Sequence, residues 1–157
     1  MGGELLDAVG RLPPGGGILF RHYSLAEHER RLLFDAVRSR ANGATILLAG
    51  PPELAHAWGA DGWHGWHAGA GLRSASVHDL GEMRRAEAGG ATLLFVAPVF
   101  PTRSHPGAPA LGPRRFAILA RQARRPVIAL GGVTHANAPK LLRLGAYGWA
   151  GSDAWLA

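Results

Sequence analysis

The sequence predicts an α/β fold in which parallel strands alternate with helices. Short apolar runs recur along the chain from Gly15 onward, and segments with a helical pattern separate most of them. Several of these runs also end in Gly, Pro, Ser, Thr or His. Polar groups at the C-terminal ends of successive parallel strands are typical of α/β barrels, which keep their chemistry there. We therefore expect a TIM-type (β/α) barrel.

In the first half of the chain, apolar runs predict three strands, at residues 17–20, 45–48 and 62–64. Helices are predicted at residues 4–11, 25–40 and 52–58. The second helix is supported by apolar residues near helical spacing, which predict a buried stripe formed by Leu25, Leu32, Leu33, Ala36 and Val37. The third helix is supported by Pro51-Pro52, which suits a first helical turn.

In the second half, four further apolar runs predict strands at residues 73–77, 92–97, 126–130 and 147–151. Helices are predicted between and after them at residues 79–88, 114–123 and 137–144. Asp79 is most simply the N-cap of the first of these helices, because its carboxylate can accept a hydrogen bond from an amide of the first turn.

Seven predicted strands are one short of a closed barrel, so we expect an incomplete one. The chain begins with a helix rather than a strand, and the link from Trp66 to Leu72 is too short for a crossover helix, since crossovers need about a dozen residues. The first strand and the fourth helix are therefore expected to be missing. Two open edges would be a liability. We expect upstream residues or a second copy of the chain, in a homodimer, to cover the gap.

Bulk composition predicts one domain over residues 1–157, with a cytoplasmic location. A chain of 157 residues can bury a substantial core. Although 47% of its residues are hydrophobic, no apolar run approaches the length of a membrane span. The N-terminus lacks the pattern of a secretory signal. The absence of cysteine fits a reducing cytosol.

The net charge of +6 does not by itself predict nucleic-acid binding. Of the 17 basic residues only Lys140 is a lysine, and the arginines are scattered over the predicted helices. We interpret Arg30, Arg31, Arg38 and Arg40 as solvated residues of one helix. A small phosphorylated ligand needs only a local positive field. We expect neither nucleic acid nor membrane as a partner.

Three segments with polar strand ends, in this order and spacing, resemble the thiamine phosphate synthase and thiazole tautomerase family. They are Ser76-Val77-His78-Asp79, the run from Ala97 to His105, and the run from Pro126 to Val133. The resemblance covers most of the chain and is strong from Ser76 onward. It implies an enzyme of thiamine biosynthesis that binds a thiazole phosphate at the C-terminal mouth of the barrel.

The resemblance also implies substrate-binding residues. In the family, a Gln-x-Arg-x-Lys motif holds the pyrimidine diphosphate; here Arg21 is retained, while Leu19 and Tyr23 replace the Gln and the Lys. Arg21 could equally be tied to a neighbouring carbonyl at the rim. The family's Ser that contacts substrate corresponds to Ser76. The Pro-Thr-x-Thr/Ser-Lys loop, which contacts both substrates, corresponds to Thr102, Arg103, Ser104 and His105, with His105 in place of the Lys.

The family's two magnesium carboxylates have no counterpart at the matching positions. The first would lie in Ala49-Gly50-Pro51 and the second near Trp66-His67-Ala68-Gly69. Magnesium prefers oxygen ligands, for which His is a poor substitute. His64 and His67 form a short, unspecific pattern that we interpret as an aromatic rim. We therefore predict no metal and no cofactor, with magnesium expected only if the protein is a synthase.

A phosphate cup is predicted where the last two strands end. Gly131 and Gly132 follow one strand and Gly151 and Ser152 the other, at the place where barrels hold phosphate with backbone amides. The family has Ser where Asp153 stands. We expect Asp153 to turn away from the phosphate and cap a last short helix.

His78 is the predicted catalytic residue. Ser76 and His78 are two apart, so both should point to one face of their strand. In the tautomerase branch, the resemblance implies that this His works as acid and base, a role suited to imidazole. His78 could instead be a cap or packing residue. We expect metal-independent proton transfer on a thiazole phosphate; the alternatives are a divergent thiamine phosphate synthase and a non-catalytic paralogue that binds a ligand or a partner protein.

Overall fold

The computed structural model describes residues 2–102, 107 and 109–152. Its helices and strands match the predicted ones, with ends that differ by at most two residues. In chain order they are α1 (Gly2–Gly10), β1 (Gly17–Phe20), α2 (Glu27–Arg40), β2 (Thr45–Ala49), α3 (Pro52–Trp58), β3 (Gly62–His64), β4 (Leu72–Val77), α4 (Leu80–Ala88), β5 (Leu93–Val96), α5 (Gly112–Gln122), β6 (Val127–Ala129), α6 (Ala138–Arg143) and β7 (Gly148–Trp149).

The chain divides into two compact units, and the division falls between Gly71 and Leu72. The prediction of one domain over residues 1–157 stays a prediction. In the first unit β1, β2 and β3 are parallel neighbours, with Gly17 opposite Thr45 and Leu47 opposite Gly62. Their short apolar runs are buried because helices pack on them, as expected for a parallel sheet.

The core of the first unit is aromatic, built from buried residues of α2, α3 and the three strands that include Phe20, Phe34, Ile46, Leu48, Trp58 and Trp63. The predicted stripe on α2 is wrong at Leu32, whose side chain is 68% exposed. Val37 is buried as predicted, Leu33 and Ala36 are half-buried, and Leu25 lies before the helix. The helix also buries Arg30 and Phe34. Spacings of three and four residues place the side chains of Arg30, Phe34 and Val37 on one face.

The link between β3 and β4 contains no helix, as predicted from its length. Trp63 organises it: the indole Nε1 donates a hydrogen bond of 3.0 Å to the carbonyl of His67. A Cβ atom on Gly69 would lie 2.9 Å from the Trp63 ring, and one on Gly71 would lie 3.2 Å from it. The buried indole therefore leaves room for little more than glycine at these positions.

In the second unit β4, β5, β6 and β7 are parallel neighbours in that order. Ser76 lies opposite Phe95, and Val96 lies opposite Ala129. The buried core includes Val77, Met83, Leu94, Val96, Phe116, Val127 and Leu141. The prediction that Asp79 is an N-cap is confirmed, because its Oδ1 accepts a hydrogen bond of 2.8 Å from the Glu82 amide. None of the described helices is long and apolar enough to span a membrane.

Candidate functional site

In the second unit, the imidazole of His78 contacts the carboxylate of Glu82. His78 lies one residue beyond the end of β4, and that it shares a strand face with Ser76 stays a prediction. Its ring Nδ1 is 2.8 Å from Glu82 Oε2, and the same oxygen accepts a hydrogen bond of 2.8 Å from the His78 amide. The His78 side chain is 58% exposed. An imidazole held by a carboxylate and open to solvent can exchange protons with a ligand.

Ser76 occupies the last part of β4 and is partly buried. It is hydrogen-bonded or otherwise engaged within the structure, as is Thr102. The adjoining end of β5 continues the strand pairing, since the Ala97 amide donates to the Val77 carbonyl at 3.2 Å. The polar residues after β4 therefore lie beside the segment that leads to Thr102. Arg103, Ser104 and His105 fall outside the described residues, as does Asp153.

The glycine pair after β6 is shaped by the segment that follows β5. Gly131 has φ +91° and Gly132 has φ +63°, conformations that favour glycine. A Cβ atom on Gly131 would lie 2.7 Å from the Pro98 Cα, and one on Gly132 would lie 2.5 Å from the Pro101 carbonyl oxygen. The Gly131 carbonyl also accepts a hydrogen bond from the Phe100 amide at 3.0 Å. Both glycines are thus required by backbone packing, independently of any ligand.

Asn137 and Thr134 hold the loop after the glycine pair, and sequence reasoning missed both. The Asn137 Nδ2 donates a hydrogen bond of 3.0 Å to the Gly132 carbonyl, and its Oδ1 accepts one of 2.8 Å from the Thr134 amide. In the described part of the chain, the amides of Gly131 and Gly132 make no hydrogen bond of their own. Two backbone donors are therefore left available at the predicted phosphate cup.

The end of β7 lies next to the end of β6, because the Ala150 amide donates to the Ala129 carbonyl at 2.9 Å. Gly151 and Ser152 follow at once, and Ser152 is exposed. The structure therefore brings the predicted cup residues to the carboxyl ends of neighbouring strands, as expected for parallel pairing. Phosphate binding there stays a prediction.

Arg21 lies directly after β1, in the first unit, and its side chain is exposed. Its guanidinium carbon is 5.6 Å from the centre of the Tyr23 ring, so the residue that replaces the family's Lys stacks on the retained Arg. The Arg21 backbone carbonyl, in turn, accepts a hydrogen bond of 2.8 Å from Arg30 Nε. The contact with Tyr23 restricts where the Arg21 guanidinium can reach, and the bond from Arg30 fixes the Arg21 backbone.

Arg30 is a buried arginine, so its interpretation as a solvated helix residue is wrong. Only 8% of it is exposed. Its Nη2 donates a hydrogen bond of 2.7 Å to the Ala49 carbonyl, in addition to the bond to Arg21. The guanidinium also lies within 6 Å of three aromatic rings, those of Phe20, Tyr23 and Trp58. Arg30 thus ties together the carboxyl ends of β1 and β2. In the sequence, the position of Arg30 one turn before Phe34, on the apolar face of α2, could have indicated that Arg30 is buried.

The predicted aromatic rim is only partly present. Trp66 and His67 are exposed, but Trp63 and His64 are buried. Burial, together with the nearby positive charge of Arg21, lowers the pKa of His64 to about 4. His22, whose backbone has φ +41°, also has a lowered pKa, because of burial and then the charge of Arg30. These imidazoles are therefore neutral near pH 7.

The residues at the two expected magnesium positions do not fit that ion. Gly50 and Gly69 carry no side-chain oxygen, and Gly69 is pressed against Trp63. Ala49 and Pro51 flank the first position, and Trp66, His67 and Ala68 precede the second. None of these side chains supplies the oxygen ligands that magnesium takes. Within residues 2–102, 107 and 109–152 no group of three or more His, Asp or Glu side chains is arranged to hold a metal.

Comparison with solved structures identifies the fold. Thiamine phosphate pyrophosphorylase from Pyrococcus furiosus superimposes with a TM-score of 0.79 at 23% identity, over 98% of this chain and 83% of that protein. The fold is therefore a TIM-type α/β barrel, and it is incomplete, with seven strands in the described part of the chain.

Comparison of sequences identifies the family. The family model described as thiamine monophosphate synthase matches residues 71–154, more than half of the chain. A putative thiamine-phosphate synthase of Geobacter sulfurreducens is 33% identical over 95% of this chain and 78% of its own length. Thiamine-phosphate synthase of Bacillus velezensis is 31% identical over 91% of this chain and 73% of its own length. The chain belongs to the thiamine monophosphate synthase family of thiamine biosynthesis, whose members bind phosphorylated small molecules.

The chain is shorter than these relatives. A putative thiamine-phosphate synthase of Aquifex aeolicus is 36% identical over 52% of this chain, but the matched part is only 44% of that relative. The likeness there covers less than half of the longer protein.

Proposed function

We propose that the protein is a thiamine phosphate synthase, which joins a thiazole phosphate to a pyrimidine diphosphate and releases diphosphate. The observation that carries the proposal is the likeness to thiamine-phosphate synthases over more than nine-tenths of the chain. This was the alternative interpretation of the sequence, and the comparisons favour it over the tautomerase.

In the proposed reaction, backbone amides hold the thiazole phosphate. The unpaired amides of Gly131 and Gly132 supply two donors, and Asn137 fixes the loop that carries them. Hydroxyl groups come from Ser76, near the end of β4, and from Thr102, in the segment that follows β5. Backbone donors are well suited to phosphate because they cost no side-chain entropy when they bind it.

Arg21 is assigned to the pyrimidine diphosphate. A guanidinium can make two parallel hydrogen bonds to phosphate oxygens and stays positively charged at any physiological pH. Because the positions for magnesium carboxylates hold glycine, no step of the proposed reaction is assigned to a metal. The positive charge that stabilises the leaving diphosphate is assigned to Arg21.

Product formation tests the proposal directly. Purified protein is incubated with both substrates, with and without magnesium, and thiamine phosphate is quantified by chromatography and mass spectrometry. We expect Arg21→Gln to raise the KM for the pyrimidine diphosphate roughly 10- to 100-fold, the value of one charged hydrogen-bonding group. Arg114→Gln, an equal charge change at an exposed residue of α5, should leave it unchanged. Absence of product under both conditions would overturn the proposal.

A second candidate function is supported by the His78–Glu82 pair. An exposed imidazole with one nitrogen engaged by a carboxylate is suited to metal-independent proton transfer on the thiazole phosphate. His78→Ala should then lower turnover of the thiazole phosphate roughly 100- to 10,000-fold while leaving ligand binding intact. Equal turnover in His78→Ala and the unmodified protein would exclude this function, whatever the outcome of the synthase assay.

A further inference from the structure

Glu82 has a position that selects one form of the His78 ring. A carboxylate oxygen is an acceptor only, and Glu82 Oε2 lies 2.8 Å from His78 Nδ1. The ring nitrogen that faces it must carry the hydrogen for the contact to be a hydrogen bond. In a neutral imidazole the other nitrogen, Nε2, is then bare and accepts a proton.

We propose that Glu82 is a positioning residue that holds His78 in the Nδ1–H tautomer, so that Nε2 takes a proton from a phosphorylated ligand. The proposal rests on the proton-transfer function of the second candidate. The C–H bond of the ligand breaks, its electron pair stays on the ligand, and an N–H bond forms at Nε2. The same proton then returns to another ligand atom, which restores the neutral ring, so the cycle needs no co-reactant.

The local backbone explains how the pair is held. Glu82 lies in the first turn of α4, where its amide donates a hydrogen bond of 2.8 Å to the Asp79 carboxylate. Its carboxylate then reaches back to both the amide and the ring of His78 through one oxygen, Oε2. The Glu82 side chain is 27% exposed, against 58% for His78, so the carboxylate is the more sheltered partner. The ring is thereby fixed on one side and open on the other.

If Glu82 had a purely structural role, its loss would affect only the stability of the start of α4. The carboxylate completes the start of α4 by accepting the His78 amide, and loss of such a cap typically costs about 1 kcal/mol of stability. Asp79 serves the same helix start but does not hydrogen-bond to the His78 ring. Asp79→Ala is therefore a matched control: it weakens the cap and leaves the contact between Glu82 and the imidazole in place.

The tautomer of the His78 ring can be determined without an activity assay. Protein labelled with ¹⁵N is studied by long-range ¹H–¹⁵N NMR at pH 8, and the His78 ring signals are assigned by their loss in His78→Asn. We expect a protonated Nδ1 and a bare Nε2 in the unmodified protein and in Asp79→Ala. In Glu82→Ala, and in part in Glu82→Gln, the ring should lose this preference. A ring that carries its hydrogen on Nε2 in the unmodified protein, or that is unchanged in Glu82→Ala, would overturn the proposal.

Turnover of the thiazole phosphate is the second measurement that tests the proposal. Loss of a partner that orients a functional His typically costs 10- to 100-fold in activity, so kcat should fall by about that factor in Glu82→Ala, with KM unchanged. The Asp79→Ala variant should keep its kcat. Correct tautomers with no turnover in the unmodified protein would refute the proton-transfer function and the catalytic use of the pair. Correct tautomers with turnover that is indifferent to Glu82 would refute the positioning role alone.

Discussion

Replacing Arg30 by methionine should destabilise the protein far more than the same change at Arg31. The two arginines are adjacent on α2, but Arg30 is buried and Arg31 is about 40% exposed at its side chain. Arg30 donates hydrogen bonds of 2.8 and 2.7 Å to the carbonyls of Arg21 and Ala49. Methionine retains much of the aliphatic volume but cannot donate to either carbonyl.

The expected magnitude follows from these contacts. Hydrogen bonds from a charged donor contribute roughly 1.5–3 kcal/mol each, and stacking of the guanidinium on aromatic rings adds about 0.5–1 kcal/mol. Relief of the desolvation of a buried charge offsets part of this sum. We expect Arg30→Met to lower the free energy of unfolding by about 2–4 kcal/mol. For Arg31, whose ion pair with Asp35 is exposed, the loss should stay below about 1 kcal/mol.

Urea unfolding followed by tryptophan fluorescence measures both variants against the unmodified protein. Trp58 and Trp63 lie in the affected core and report on it. Because a domain of this size is typically stable by only about 5–15 kcal/mol, the loss at Arg30 should shift the midpoint clearly. If Arg30→Met were no more destabilising than Arg31→Met, the reasoning that the buried guanidinium joins the ends of β1 and β2 would be wrong.

Two further predictions concern pH and the glycine pair. The pKa of His64 falls from 6.5 in the unfolded chain to about 4 in the folded protein, so the unfolded state binds more protons below pH 6.5. The free energy of unfolding should therefore fall by about 2–3 kcal/mol between pH 7 and pH 4.5. Urea unfolding should show a smaller fall in His64→Gln. An equal pH dependence in the variant would refute this. Gly132→Ala should lower the melting temperature by more than Gly90→Ala, since both have positive φ but only Gly132 is closely approached, by Pro101. Equal shifts in thermal unfolding would show that the contact at Gly132 carries no cost.

The sequence by itself determined the order of helices and strands, the missing crossover between β3 and β4, the N-cap at Asp79 and the family. Apolar runs, turn residues and motif spacing are local properties, and short segments contain all the information needed to recognise them. The incomplete barrel followed from counting these elements. Likewise, the glycines at the expected magnesium positions could be read directly from the chain.

Tertiary structure decided which side chains are buried and which partners they meet. Arg30 looked like one more solvated arginine, but packing of α2 on the strands brings it to carbonyls 9 and 19 residues away. Leu32, although apolar, is left exposed because it lies off the buried face. Gly131 and Gly132 looked like phosphate ligands alone, yet the segment after β5 also requires them to be glycine. Such contacts depend on distances between residues far apart in sequence, and no local pattern encodes those distances.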